Sequence, residues 1–260
     1  MPFEPVQPER LSRAVVRQIE QLILRGILRP GERLPAEREL AGQLGVSRPS
    51  LREALGELQR RGLLHSRAGA GVYVADVLGS AFSPALIELF ASHDEAVFDY
   101  LSFRRDLEGL AAERAARLAS ESDLKVIRHL FGQMEQAHAG KASDEEALLD
   151  ARFHMAIIEA SNNVVMLHMM RSMFDLLRQG VFYNRRMLFR QNTTRSALLN
   201  QHRAINTAIQ KRDPDAARRA VEAHMDYIRE ALASQRKAER DEAIARRRLE
   251  KTIMADGARK

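Results

Sequence analysis

Asp150 and His154 stand four residues apart, so any helix that spans them carries a carboxylate and an imidazole on one face, within reach of a single cation. Two more histidines fall on later helix-length segments, His202 ahead of Ile205 and Ile209, and His224 between Val221 and Met225. Those apolar neighbours tie each segment to a core, so three helices can converge on Asp150, His154, His202 and His224. One carboxylate with three imidazoles inside a bundle suits Zn²⁺, Ni²⁺ or Mn²⁺, with positions left for water or an acidic ligand. The chain has eight histidines, and a lone histidine is more often structural than a ligand; spacing and apolar flanks single out these. The same set could activate water, which leaves a metal-dependent hydrolase or isomerase as an alternative, although no HExxH-type general base accompanies it.

A second concentration of chemistry is cationic. The 260-residue chain carries a net charge of +6, and residues 1–75 alone hold twelve arginines, no lysine and eight glutamates. Such a balance favours a polyanionic partner, and the pattern around the arginines says which kind. Apolar residues at Leu11, Val15, Ile19, Leu22 and Ile23 mark an amphipathic helix ending near Gly26. Leu28-Arg29-Pro30-Gly31 is a turn, and a second helix is expected from about Pro35, suited to a first helical position, through Leu44. Ser47 is the expected N-cap of a third helix whose inner stripe is Leu51, Leu55 and Leu58. Leu63 to Ser66 and Val72 to Val74 then read as two strands around a glycine-rich tip. Helix, turn, helix and hairpin is the order of a winged helix-turn-helix. A third helix of this kind fits the DNA major groove, with Arg48, Ser50 and Arg52 on its outward side for base edges. Arg38 on the preceding helix is placed for a phosphate, and the wing from Arg67 to Gly71 for the adjacent minor groove or its phosphates.

The rest of the chain is mainly α. From Pro84 to about Ala238 no convincing alternating strand is present, and five or six amphipathic helical segments are separated by breaks at 92–94, 120–123, 140–143, 161–163, 191–194 and 212–214. The expected organisation is a DNA-binding domain over 1–76, a linker over 77–83, an all-α bundle for effector binding and dimerisation over 84–238, and a charged helical tail over 239–260 containing Arg246-Arg247-Arg248. A composition of 45% hydrophobic and 29% charged residues is that of globular chains, and the absence of cysteine excludes disulfide frameworks and cysteine-ligated zinc modules. No stretch approaches the ~18 apolar residues of a membrane helix, and the first ten residues hold Glu4, Glu9 and three prolines instead of a signal sequence, so no membrane association and a cytoplasmic location are expected.

The runs Leu28-Arg29-Pro30-Gly31-Glu32-Arg33-Leu34-Pro35-Ala36-Glu37-Arg38-Glu39-Leu40-Ala41, Gly45-Val46-Ser47-Arg48-Pro49-Ser50-Leu51-Arg52-Glu53-Ala54-Leu55 and Gly62-Leu63-Leu64 closely resemble the GntR family of bacterial transcription regulators. That resemblance implies operator contacts at Arg38, Arg48, Ser50, Arg52 and the wing glycine Gly69. Asp150 to Ile157, Ala160-Ser161-Asn162, Gln201 to Ile205 and Ala220 to His224 resemble the FCD effector domain of the FadR subfamily. There the positions of Asp150, His154, His202 and His224 hold a divalent metal in many members, and the metal holds a small carboxylate. Arg104, in Phe103-Arg104-Arg105-Asp106-Leu107-Glu108, matches an arginine facing the same cavity, able to grip a carboxylate as a fork. Within the subfamily the likeness is to the pyruvate dehydrogenase complex repressor and the lactate-responsive regulators, which makes pyruvate, lactate and glycolate the candidate effectors.

The expected protein is a regulator and not an enzyme, a homodimeric repressor that binds a palindromic double-stranded operator, since one recognition helix spans too few bases for useful specificity. A metalloenzyme would turn its ligand over, and a nonspecific architectural binder would not distinguish an operator from random duplex at matched salt.

Overall fold

The computed structural model of the chain describes residues 11–67, 69–76, 84–140, 142–178 and 192–257. They divide into two compact units, Met1–Ser83 with Asn163–Asp175, and Pro84–Asn162 with Leu176–Lys260. The expected linker, 77–83, lies outside the described residues.

In the first unit α1 (Leu11–Leu24), α2 (Glu37–Leu44) and α3 (Arg48–Arg60) precede a hairpin of β1 (Leu64–Arg67) and β2 (Gly71–Val74). Val15, Val16, Ile19 and Ile23 from α1 pack with Leu51, Ala54, Leu55 and Leu58 of α3, and Leu34, Leu40, Leu64 and Val74 complete the core. Ser47 caps α3 as expected, its hydroxyl accepting from the Ser50 N–H. The hairpin is antiparallel in the register Leu64 to Val74 and Arg67 to Gly71.

The second helix departs from expectation, starting at Glu37 instead of Pro35. The cause is the backbone ahead of it. Gly31 N–H donates to Val74 O, Val74 N–H to Glu32 O and Leu34 N–H to Val72 O, so residues 31–34 are bonded alongside β2 through an isolated bridge at Arg33 and Tyr73. Ala36 follows that bonded segment still extended, at ψ 144, and helical geometry begins one residue later. Also in this unit, at the end of α1, His168 Nε2 lies 2.9 Å from the Leu24 carbonyl oxygen and Arg171 donates to that of Gly26. Cationic and polar side chains at a helix C-terminus satisfy carbonyls that have no helical partner.

The second unit is helical among its described residues. The helices after the hairpin are α4 (Pro84–Ser92), α5 (Asp94–Leu118), α6 (Glu121–Ala139), α7 (Ser143–Ala160), α8 (Val164–Arg178), most of which belongs to the first unit, α9 (Asn192–Gln210) and α10 (Pro214–Gly257). Among the described residues these are seven where five or six were expected, and the break expected at 92–94 separates a short α4 from α5. Ser120 and Asp123 form a capping box that starts α6, each side chain bonded to the other's backbone N–H. The segment after Ala238 continues α10 without a break as far as Gly257. α5 packs most extensively against α10, with α6 against α7 and α9 against both α6 and α10.

A buried charge pair ties α7 to α9. Arg195 donates to both carboxylate oxygens of Glu146, at 2.7 and 3.0 Å, and to the carbonyl of His138. Glu146 lies one helical turn before Asp150, and Arg195 two turns before His202, so this bidentate pair sets the register of the two helices that carry those residues.

Candidate metal centre and nucleic-acid interface

Asp150, His154, His202 and His224 come from α7, α9 and α10 and are all buried, exposing between 0% and 4% of their surface. One ligand atom from each lies within 4.8 Å of all the others. His202 Nε2 is 3.0 Å from Asp150 Oδ1 and 3.2 Å from His154 Nε2, and His154 Nε2 is 3.7 Å from Asp150 Oδ1. The ring of His224 stacks on that of His154 at 5.1 Å and lies 4.5 Å from that of His202. Phe153 walls the cage, presenting edge-on contacts to His154 and His202. Helical spacing explains the first pair; packing of α9 and α10 through Ile205, Ile209, Val221 and Met225, all at most 1% exposed, brings in the other two.

The donor set fits a divalent metal. His224 Nε2 is buried with no hydrogen-bond partner, a costly state for a polar atom unless something else binds it. Burial, with the charges of His202 and His154, pushes the His224 imidazole well below the usual histidine range, so it is neutral and its lone pair is available. An oxygen with three imidazole nitrogens is the mixed set preferred by borderline first-row ions.

Arg104 projects from α5 and is fully buried. Its Nε donates to Glu108 Oε1 at 2.5 Å, one turn along the same helix, and its guanidinium carbon is 5.8 Å from the Tyr100 ring centre. Glu108 Oε2 in turn lies 2.7 Å from His154 Nδ1. Burial alone would raise the Glu108 carboxyl, but the charge of Arg104 and the contact with His154 outweigh it and hold the group at about 2. On the far side of the cage, Gln201 Oε1 accepts from His224 Nδ1 at 2.9 Å. Sequence reasoning assigned no part to Glu108 or Gln201. An i, i+4 Arg–Glu pair was the available signal for the first, whereas Gln201 neighbours His202 in sequence but serves a ring on another helix.

In the first unit Arg38, Arg48, Arg52, Arg67 and Gly69 are exposed, and Ser50 is half-buried with its hydroxyl 2.9 Å from that of Ser47. Arg48 and Arg52 stand on α3 away from the leucine stripe. Glu37, not singled out from sequence, lies between them, with Oε2 2.7 Å from Arg52 Nε and 4.0 Å from Arg48 Nη2. At the wing, the Arg67 guanidinium sits 4.6 Å over the Tyr73 ring. Gly69 turns the tip at φ 70 with open space around it, a conformation L side chains rarely adopt. No helix among the described residues is long and apolar enough to cross a membrane.

Comparison with known proteins agrees with both halves. Residues 11–74 match the model for bacterial regulatory proteins of the gntR family, and residues 99–227 match the FCD domain. A regulatory protein of Escherichia coli K12 named for an L-lactate dehydrogenase operon is 37% identical over 227 residues, covering 86% of each chain. The Glc operon transcriptional activator of the same strain is 33% identical over 225 residues, covering 85% of this chain and 89% of its own. Among solved structures, Streptococcus agalactiae GntR aligns with a TM-score of 0.51 at 27% identity, over 84% of this chain and 99% of its own. A winged helix-turn-helix with a two-stranded wing, followed by a helical bundle with a buried aspartate–histidine cage, makes this chain a member of the GntR family, in its FadR subfamily with an FCD domain: a DNA-binding transcription regulator and not an enzyme.

Proposed function

We propose that this regulator binds a palindromic operator as a homodimer and that a small 2-oxo or 2-hydroxy monocarboxylate, of the pyruvate, lactate or glycolate kind, sets its grip from a metal-dependent site in the helical domain. The observation that carries the reading is the convergence of Asp150, His154, His202 and His224 beside a buried arginine, Arg104. A divalent ion held by those four would offer coordination to a carboxylate oxygen, while Arg104 supplies a planar donor for the same anion.

Charge narrows the ligand. Imidazoles bind metal as neutral rings, and the Glu108 carboxylate offsets Arg104. Asp150 then supplies one negative charge, a divalent cation leaves one positive charge in excess, and a single carboxylate neutralises it. Uncompensated charge in a buried site is costly, which favours a monocarboxylate over a dicarboxylate. A relative named for an L-lactate dehydrogenase operon supports the 2-hydroxy acids within that class.

For DNA the reading assigns base edges to Arg48, Ser50 and Arg52, a phosphate to Arg38, and the minor groove or its phosphates to the wing at Arg67 and Gly69. Arg52 must leave Glu37 to reach a base. That ion pair is exposed, at 63% and 36% of the two side chains, and such pairs contribute only ~0–1 kcal/mol. A bidentate arginine–guanine contact is worth ~1–3 kcal/mol of discrimination, so the exchange favours the base. Arg52→Ala is therefore expected to cost ~1–3 kcal/mol of operator affinity and to blur discrimination at one base pair, measured by titrating operator and single-base variants at fixed salt. An unchanged preference at every position would remove Arg52 from the reading set.

A further inference from the structure

We propose that Glu108 and Gln201 are the positioning residues of the metal cage: each holds the outer ring nitrogen of one histidine and thereby decides which nitrogen faces the cation. The inference rests on the metal reading above and adds two residues to the four ligands.

A neutral imidazole carries one proton, and the nitrogen that carries it cannot bind a metal. A carboxylate cannot donate and repels a bare nitrogen lone pair, so the 2.7 Å approach of Glu108 Oε2 to His154 Nδ1 favours the proton on Nδ1 and leaves the lone pair on Nε2. That nitrogen points at Asp150 and His202. The same logic holds for His224, where the amide oxygen of Gln201 accepts from Nδ1 at 2.9 Å and Nε2 is the buried atom without a hydrogen-bond partner. In both rings the nitrogen engaged outside the cage is Nδ1 and the inward one is Nε2.

The two supports come from different helices than the rings they hold. Glu108, on α5, reaches His154 on α7; Gln201, on α9, reaches His224 on α10. Each contact therefore fixes ring rotation as well as the proton, because a ring turned over would lose its outer contact and turn the carbon Cε1, which cannot bind a metal, toward the cation. Glu108 is also bound to Arg104, so the anchor of one ligand and the proposed carboxylate fork share a single side chain. Removing outer partners of metal-bound histidines generally weakens metal binding by about 10–100-fold.

The test uses the full chain stripped with EDTA and titrated with Zn²⁺ alone at pH 8 against a chromophoric chelator. Gln201 is uncharged and half-buried, so Gln201→Ala leaves no buried charge behind. It is expected to bind Zn²⁺ about 10–100-fold more weakly, and Gln201→Glu, which restores an acceptor oxygen, to recover most of that loss. Glu108→Leu is expected to weaken binding at least as much, and Glu108→Gln, which keeps an acceptor, less. On the metal-free chain, imidazole ¹⁵N resonances should put the protons of His154 and His224 on Nδ1, and Gln201→Ala should spread that of His224 over both nitrogens without moving His154. A wild-type chain that binds no Zn²⁺ overturns the metal reading itself. Wild-type binding with unchanged affinity in Gln201→Ala, or either ring protonated on Nε2, overturns this proposal and leaves the metal reading standing.

Discussion

Arg104→Ala is expected to destabilise the helical domain by ~3–5 kcal/mol, the usual cost of removing one partner from a buried ion pair. Both members are essentially inaccessible, at 0% and 3% of their side chains. Without the guanidinium, Glu108 must either stay charged in an apolar site or take up a proton, and protonation would also disturb its bond to His154. Domains of this size are stable by only ~5–15 kcal/mol, so the loss should be plain in the midpoint of chemical denaturation of the second unit. Removing both charges together, as Arg104→Met with Glu108→Gln, should recover much of the loss, because no unpaired ion then remains. Arg104→Lys separates stability from recognition. It keeps a cation near Glu108 but lacks the planar fork, so folding should survive while the response to carboxylate weakens. A loss below ~1 kcal/mol for Arg104→Ala would mean that Glu108 finds other compensation and that the pair is not the anchor described here.

The second large effect is expected at His202. Its Nε2 is the atom nearest to both Asp150 and His154, so His202→Ala removes the centre of the donor set. Because outer partners alone are worth about 10–100-fold in metal affinity, loss of this inner ligand should exceed ~100-fold. Metal content after gel filtration, with affinity from chelator competition, reads this directly. Operator binding by the metal-free variant should match that of the metal-free parent, since the substitution lies in the second unit and the arginines in the first. Full metal occupancy in the variant would exclude His202 as an essential ligand. His202→Gln, which keeps more of the side-chain volume, guards against a loss caused only by a cavity.

Local periodicity made much of this legible before any coordinates. The Leu51, Leu55 and Leu58 stripe and the Ser47 cap are short-range features, and both are present in α3. The i, i+4 spacing of Asp150 and His154 is likewise a property of one helix. What could not be read depends on partners distant in sequence. The start of α2 is governed by hydrogen bonds from residues 31–34 to β2, some forty residues downstream, so proline preference at Pro35 loses to strand pairing. Glu37 lies between two arginines only because α2 crosses α3, and Gln201 meets His224 only because α9 packs on α10. The Arg195–Glu146 pair belongs to the same class: bidentate geometry across 49 residues leaves no local signature.

The most direct test of the central claim, that a metal-held carboxylate in the helical domain sets the grip of the winged domain, is operator affinity of the full chain with and without metal while L-lactate, pyruvate or glycolate is titrated. Coupling between sites in switching proteins is typically ~1–3 kcal/mol, about 5–150-fold in affinity. The metal-loaded chain should shift by an amount in that range with at least one of the three acids, and the chelator-stripped chain should not shift. An equal shift without metal, or no shift with any of the three in the loaded chain, would contradict it.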